Sequence, residues 1–359
     1  MANASRNALG RRRVLRGTLA TGTAVLAAPM IARAAAKEIR ILFPGGTWKD
    51  FFAQVFADPF AKQKGVEFVY RLGLSHEPMV LAQRRNPQWD IIHQSQSRST
   101  WLGAQGLLRE WSKDRIPNTA KVHPSFVYDY NVGKVHTPYG ICVNTKRIKK
   151  PITSWLDLWD PEFKGKVGFP AWPWMGEEVF HALNTLLGGT AENIDAGVAK
   201  VKEMFRANQA KVINNVEHTR QLLVAEEVWI CPYFGARTEQ AAAAGAPVEF
   251  VMPKEGGLSW IWNTPIIANR PQDSIALAEE FLNTTLDAEK QLAFSKLTLY
   301  PPTNIEAMKN LPADMAKLRI PMEEVDRIGK LQRQTDYLAL FSYRDQHVER
   351  FNKEVIGGG

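Results

Sequence analysis

The chain has 359 residues, 45% of them hydrophobic and 23% charged, enough for two domains with a sizeable core that needs no staples or metals. Its formal charge is +8, but six of its 45 basic residues are arginines in the first 36 residues, which hold no Lys, Asp or Glu; beyond them 39 basic residues face 37 acidic ones, a net +2. That balance argues against nucleic acid as a partner, and two cysteines, Cys142 and Cys231, are too few for a disulfide scaffold.

The opening residues, MANASRNALGRRRVLRGTLATGTAVLAAPMIARAAA, order a basic stretch, an apolar run over 18–31 and small residues over 32–36. This order predicts an export signal, cleaved after Ala34 or Ala36. The apolar run is too short and too rich in Ala, Gly and Thr for a permanent anchor, which needs about 20 strongly apolar residues. GRRRVLR resembles the twin-arginine export motif, with Arg11 and Arg12 as the pair, Val14 and Leu15 apolar and Arg16 basic; Val14 stands where that motif usually has Phe. The resemblance implies folding before export. A general secretory signal with extra arginine is the alternative.

From residue 38 the patterns alternate. EIRILF predicts a buried strand, WKDFFAQVFADPFAKQKG a helix closed by Gly65, and VEFVYRL a second strand. HEPMVLAQRR predicts a helix, WDIIHQS a strand and RSTWLGAQG a helix, together a parallel sheet with helices on its faces. A turn-rich stretch over 118–135 breaks the series, and KVHTPYGICVNT leads on as a long strand. A second series follows TSWLDLWDPEFKGKV. Its strands are KVGFPA, KVIN, VWICPYF and VEFVMP; its helices are GEEVFHALNTLL, IDAGVAKVKEMFRAN, VEHTRQLLVAEE and ARTEQAAAAG. SWIWNTPIIAN, residues 259–269, is another extended run, and the chain is mostly helical from there to Glu354. Two such series joined by extended segments predict two lobes with more than one crossover.

No GxSxG, HExxH, Walker A, Rossmann or CxxC motif is present. Glu178 and His181 have i, i+3 spacing, but no second pair completes a metal site. Cys142 and Cys231 lie in apolar strand-like runs, which predicts buried free thiols, with one disulfide or a reactive thiol as alternatives. The unusual feature is aromatic residues at strand ends: Trp48, Trp172, Trp174, Trp260, Trp262, Tyr300, and Tyr233 with Phe234. In open α/β sheets ligands bind beyond the carboxyl ends of strands, and indole faces suit cations and flat or aliphatic groups. Pro173 stiffens the loop of Trp172 and Trp174, so a cleft wall is expected for at least one of them rather than a core plug.

EGGLSWIWNTPIIAN, SWLDLWDPEFKGKV and LYPPTN together resemble the spermidine/putrescine-binding branch of bacterial solute-binding proteins, over residues 38 to 355. The resemblance implies an α/β, two-lobed periplasmic-binding-protein type II fold with a hinge and an interlobe cleft. The expected lobes are 37–141 plus 265–305 and 142–264 plus 306–359. It also implies an extracytoplasmic receptor of an ABC importer that captures a small amine-containing solute by lobe closure. Such a receptor would act as a monomer in the periplasm, beside a permease of the inner membrane, without catalysis or cofactor. By correspondence with the family, Trp48, Ser95, Glu178, Trp260, Tyr300 and Tyr233 or Phe234 line the cleft, with Trp172, Trp174 and Trp262 added from their positions.

Two departures bear on the ligand. Acids that polyamine binders use are replaced here by Met175 and Trp262. Each desolvated ammonium needs a partner, so one retained carboxylate, Glu178, predicts one amine end and an apolar or aromatic body. Arg98 and Arg237 are candidates for a carboxylate or phosphonate on the same solute. The alternatives are a secreted cysteine-dependent enzyme on the same fold, using Cys142 or Cys231, and a ferric-ion receptor, for which Tyr128 and Tyr130 are the nearest tyrosine pair.

Overall fold

Strand β1 (Lys37–Phe43) opens a structure that, in the computed structural model, describes residues 37–73 and 76–357. The export signal expected over residues 1–36 lies outside the described residues. Ile41, Leu42 and Phe43 are all buried, so β1 is covered on both faces, as a central parallel strand must be. Helices α1 (Thr47–Phe52) and α2 (Asp58–Lys64) follow, joined through a π turn at Ala53–Ala57. Gly65 ends them in the left-handed conformation, φ 63°, where a side chain would be strained. Then come β2 (Val66–Leu72), α3 (Glu77–Ala82), the short β3 (Ile91–Ile92) and α4 (Gln96–Ala104). β2 and β3 flank β1, both parallel to it.

β4 (Val135–Asn144) leaves that sheet and centres another. After it the chain forms β5 (Gly168–Pro170), α5 (Glu177–Leu186), α6 (Asp195–Ala207), β6 (Lys211–Ile213), α7 (Val216–Val224), β7 (Ile230–Phe234), α8 (Gly235–Ala243), β8 (Val248–Val251) and β9 (Leu258–Trp262). β7, β8 and β9 all run antiparallel to β4, while β5 and β6 form a separate parallel pair. The tail is helical: α9 (Gln272–Thr285), α10 (Ala288–Thr298), α11 (Ile305–Lys309), α12 (Val325–Ile328), α13 (Lys330–Gln334) and α14 (Tyr337–Arg350).

Two hydrophobic cores define two lobes. One gathers Ile41, Phe52, Phe56, Phe281 and Phe294; the other gathers Ile141, Trp155, Leu158, Phe180 and Val201. Val135 packs in the first and Tyr139 in the second, so β4 crosses between them. β9 returns: Leu258 packs in the second lobe, and Trp262 packs against the first. Ile266 and Ile267 then bridge to Ile91 and Leu108 in the first lobe. Each crossing therefore falls a few residues before the divisions expected at 141/142 and 264/265. The expected assignment of 306–359 to the second lobe needs a larger correction. Met308 and Val325 pack with Phe126 and Leu286 of the first lobe, and the chain rejoins the second core from Leu331. Helical periodicity marks an apolar face without saying which lobe covers it. α14 then lies across the boundary, with Phe341 stacked on Trp101 of α4 at 5.0 Å.

Candidate functional site

At the end of β5 the chain turns through a π turn, Trp172–Gly176, straight into α5. An added Cβ at Gly176 would lie 2.5 Å from the Pro170 carbonyl oxygen, so only glycine permits this tight approach. The turn sets Glu177 and Glu178 in the first turn of α5, where the helix dipole favours carboxylates. From the other lobe, α4 starts directly after β3, with Ser95 at its N-cap. Ser95, Ser97, Met175, Glu178, Trp260 and Gln332 line one small cavity of about 10 Å³ between the lobes, room for about one water. A second cavity of the same size adjoins it and shares Ser97 and Glu178, with Arg98, Tyr337 and Phe341 on its walls.

The charges around Glu178 are mostly paired. Arg98 donates to Glu77 at 2.6 Å, and Arg344 forks onto both oxygens of Glu177 at 2.8 and 3.1 Å. Glu178 itself is 7% exposed and has no ion pair among the described residues. Burial pushes its carboxyl up to about 7, with Glu177 adding to the shift and Arg98 and Arg344 opposing it. Burial therefore favours the neutral form of this carboxyl, and a cation placed beside it would favour the charged form.

The other end of the boundary is aromatic. Trp262 stacks on Trp48 with ring centroids 3.8 Å apart and on His93 at 4.1 Å. Tyr300 packs edge-on to Trp48 at 5.2 Å. Trp262 meets Trp260 at 6.4 Å, Trp260 meets Phe234 at 6.1 Å, and Phe234 meets Trp174 at 6.2 Å, each near edge-to-face. A continuous aromatic line thus runs from the second lobe to the first. Close by, the buried Lys134 donates to the Thr264 hydroxyl at 2.6 Å, and burial lowers its ammonium to about 7. Burial also lowers His93, with Lys134 and His76 adding to the effect.

Of the residues expected in the cleft, Ser95, Glu178 and Trp260 line one cavity, and Trp48, Trp262 and Tyr300 form one cluster. Trp174 joins through Phe234. Two of the expected residues pack in the second-lobe core. Trp172 is 5% exposed and packs on Phe180 and Phe351 at 5.3 and 4.8 Å, so it is a core residue that supports α5. Tyr233 is buried with its hydroxyl donating to the Val216 carbonyl at 3.2 Å; its neighbour Phe234, also buried, is the one that packs on Trp174 and Trp260. Strand alternation points the two to opposite faces of β7, both of them covered. Gln332, His93 and Lys134 were not anticipated; Gln332 reaches the site from α13 and accepts from the Ser259 amide at 3.0 Å. Cys142 and Cys231 sit opposite each other on β4 and β7, both free and fully buried. The Cys231 thiol is held well above its usual range, first by its hydrogen bond with Cys142 and then by burial, a setting unlike that of a nucleophile.

A family model of bacterial extracellular solute-binding proteins matches residues 110–326. The chain is 27% identical over 302 residues to spermidine/putrescine-binding periplasmic protein 1 of Haemophilus influenzae, covering 80% of this chain and 81% of that one. It is 24% identical over 317 residues to the spermidine/putrescine-binding periplasmic protein of Escherichia coli, covering 84% and 89%. Among solved structures, an ABC transporter protein from Clostridium perfringens superposes with a TM-score of 0.73 at 22% identity, over 88% of this chain and 99% of that one.

Proposed function

The chain belongs to the bacterial extracellular solute-binding proteins, and from that premise we propose that it is the periplasmic receptor of an ABC importer for a small amine-containing solute. The observation that carries the amine is Glu178: a buried carboxyl without an ion pair among the described residues, in a cavity walled by both lobes. An ammonium placed there would supply the missing counter-charge, and Trp260 would offer its face to the same cation. Contacts to both lobes then favour the closed form, the state a permease of the inner membrane would bind. β4 and β9, the crossing strands, are the natural hinge. The receptor works as a monomer, without catalysis or nucleic acid, after twin-arginine export and signal removal near Ala36.

The buried, unactivated thiols weigh against a cysteine-dependent enzyme. Similarity to polyamine-binding relatives over most of the chain favours an organic amine over ferric ion. The test is thermal unfolding of the chain from Lys37 onward against polyamines, ω-amino acids, opines and aminophosphonates. A ligand at 100 times its dissociation constant adds about 2.7 kcal/mol and raises the midpoint by several degrees. If no amine moves the midpoint while amine-free acids do, the proposal is wrong.

A further inference from the structure

A cavity of about 230 Å³ lies between the lobes beyond the aromatic cluster. Its first-lobe wall is the Gly45–Gly46–Thr47 turn and the face of Trp48; its second-lobe wall is Arg237 and Gln240 on α8. Gln240 closes one rim by donating to the Thr298 carbonyl at 3.2 Å. Arg237 is held in place by a bond from its Nη1 to Gln240 at 2.7 Å and by the Tyr300 ring, whose centroid is 5.8 Å from the guanidinium carbon. No carboxylate forms an ion pair with Arg237 among the described residues; its Nε is buried away from the cavity, and the Tyr300 hydroxyl is within hydrogen-bonding reach of the guanidinium. An arginine that lines a cavity without a carboxylate partner is a planar receptor for a carboxylate, phosphonate or phosphate.

We propose that this cavity is an oxyanion subsite, with the Arg237 guanidinium as counter-charge for the acidic group of the solute whose amine sits at Glu178. The inference rests on the amine proposal and narrows it: the solute is bipolar, an amine at one end and an oxyanion at the other, rather than a polyamine. Trp48 lines the anion cavity and Trp260 the amine cavity, and Trp262 lies between them, 3.8 Å from the first and 6.4 Å from the second. A flat or methylene body packed along these indoles would connect the two charged ends. The anion cavity, like the amine cavity, has one wall on each lobe, so each end of the solute would pull the lobes together.

The probes are ω-amino acids of three to eight carbons, the matched α,ω-diamines, aminoalkylphosphonates and amine-free carboxylates. Dissociation constants are measured by calorimetry on the wild type, Arg237→Gln and Glu178→Gln, each checked for a native unfolding midpoint. The expected result is that an amino acid or aminophosphonate binds more tightly than its matched diamine. Arg237→Gln should then weaken the acid-bearing probe at least tenfold more than the diamine. The relative affinities of carboxylate and phosphonate probes identify which oxyanion the cavity takes. Tighter binding of diamines, or equal loss of both probe classes in Arg237→Gln, overturns the oxyanion subsite and leaves the amine proposal standing. Binding of amine-free carboxylates that ignores Glu178→Gln but needs Arg237 overturns the amine proposal and leaves the subsite. Silence toward every probe overturns both.

Discussion

The two ends of the interlobe boundary are built from opposite materials. At the α5 end, Glu77, Glu177 and Glu178 face Arg98 and Arg344, so three carboxylates meet two guanidiniums and one carboxyl is left over. At the Trp48 end there are stacked indoles, with the phenol of Tyr300 and the basic side chains Arg237, His93 and Lys134 beside them. The acidic end is set by a rigid turn into a helix, and the aromatic end by a strand crossing between lobes. On the proposals above, this difference would hold a solute in a single orientation: charge would select the end, and stacking would tolerate the length of the body between.

The strongest way to break this comparison is to loosen the support of the acidic end. Trp172→Ala should cost about 3–5 kcal/mol of stability, since it empties a core site beside Phe180 and Phe351, whereas Trp174→Ala, partly exposed at the boundary, should cost under about 1 kcal/mol. Urea unfolding of both variants checks this, and equal losses would mean that Trp172 is not a core residue. Next in size is Glu178→Gln, which should weaken an amine solute by at least about 2 kcal/mol, thirtyfold in Kd, by calorimetry.

The third effect is on pH. Because the Glu178 carboxyl is raised to about 7, its contribution to stability is full at acid pH and fades as pH rises through that value. Amine binding needs the charged form, so affinity should climb up to tenfold per pH unit from 5 to 7 and then level off, with a flat profile in Glu178→Gln. A fourth effect belongs to the aromatic end. Lys134, lowered to about 7, makes stability rise with pH from there toward the ordinary lysine range, and its contribution is lost as pH falls through 7. Lys134→Met should remove that slope, measured as unfolding midpoints across pH.

Much of the fold was legible because hydrophobic period decides element type. EIRILF and VEFVYRL became parallel strands, and Gly65 ended its helix as placed. The run SWIWNTPIIAN was recognisable as a crossing because it is extended and apolar for longer than a strand end needs. What stayed hidden was partnership between distant segments. Nothing in the local pattern of residues 306–328 says that they return to the first lobe. Gln332 is one polar residue in a helical tail, and its place beside Glu178 depends on packing of α13 against α5 and β9. In WPW and PYF, adjacent aromatics compete for core and cleft, and side-chain direction alone settles which wins. Glu178 was legible by position, but its raised pKa was not, because that depends on which arginines its neighbours engage.

The central claim is that an amine at Glu178 draws the two lobes together. Small-angle X-ray scattering of the chain from Lys37 onward, with and without a saturating amine solute, tests it most directly. The expected result is a smaller radius of gyration on adding the solute to the wild type and no change in Glu178→Gln at the same concentration. A wild type that binds the solute by calorimetry without contracting, or a Glu178→Gln protein that contracts as fully, would contradict closure around that carboxylate.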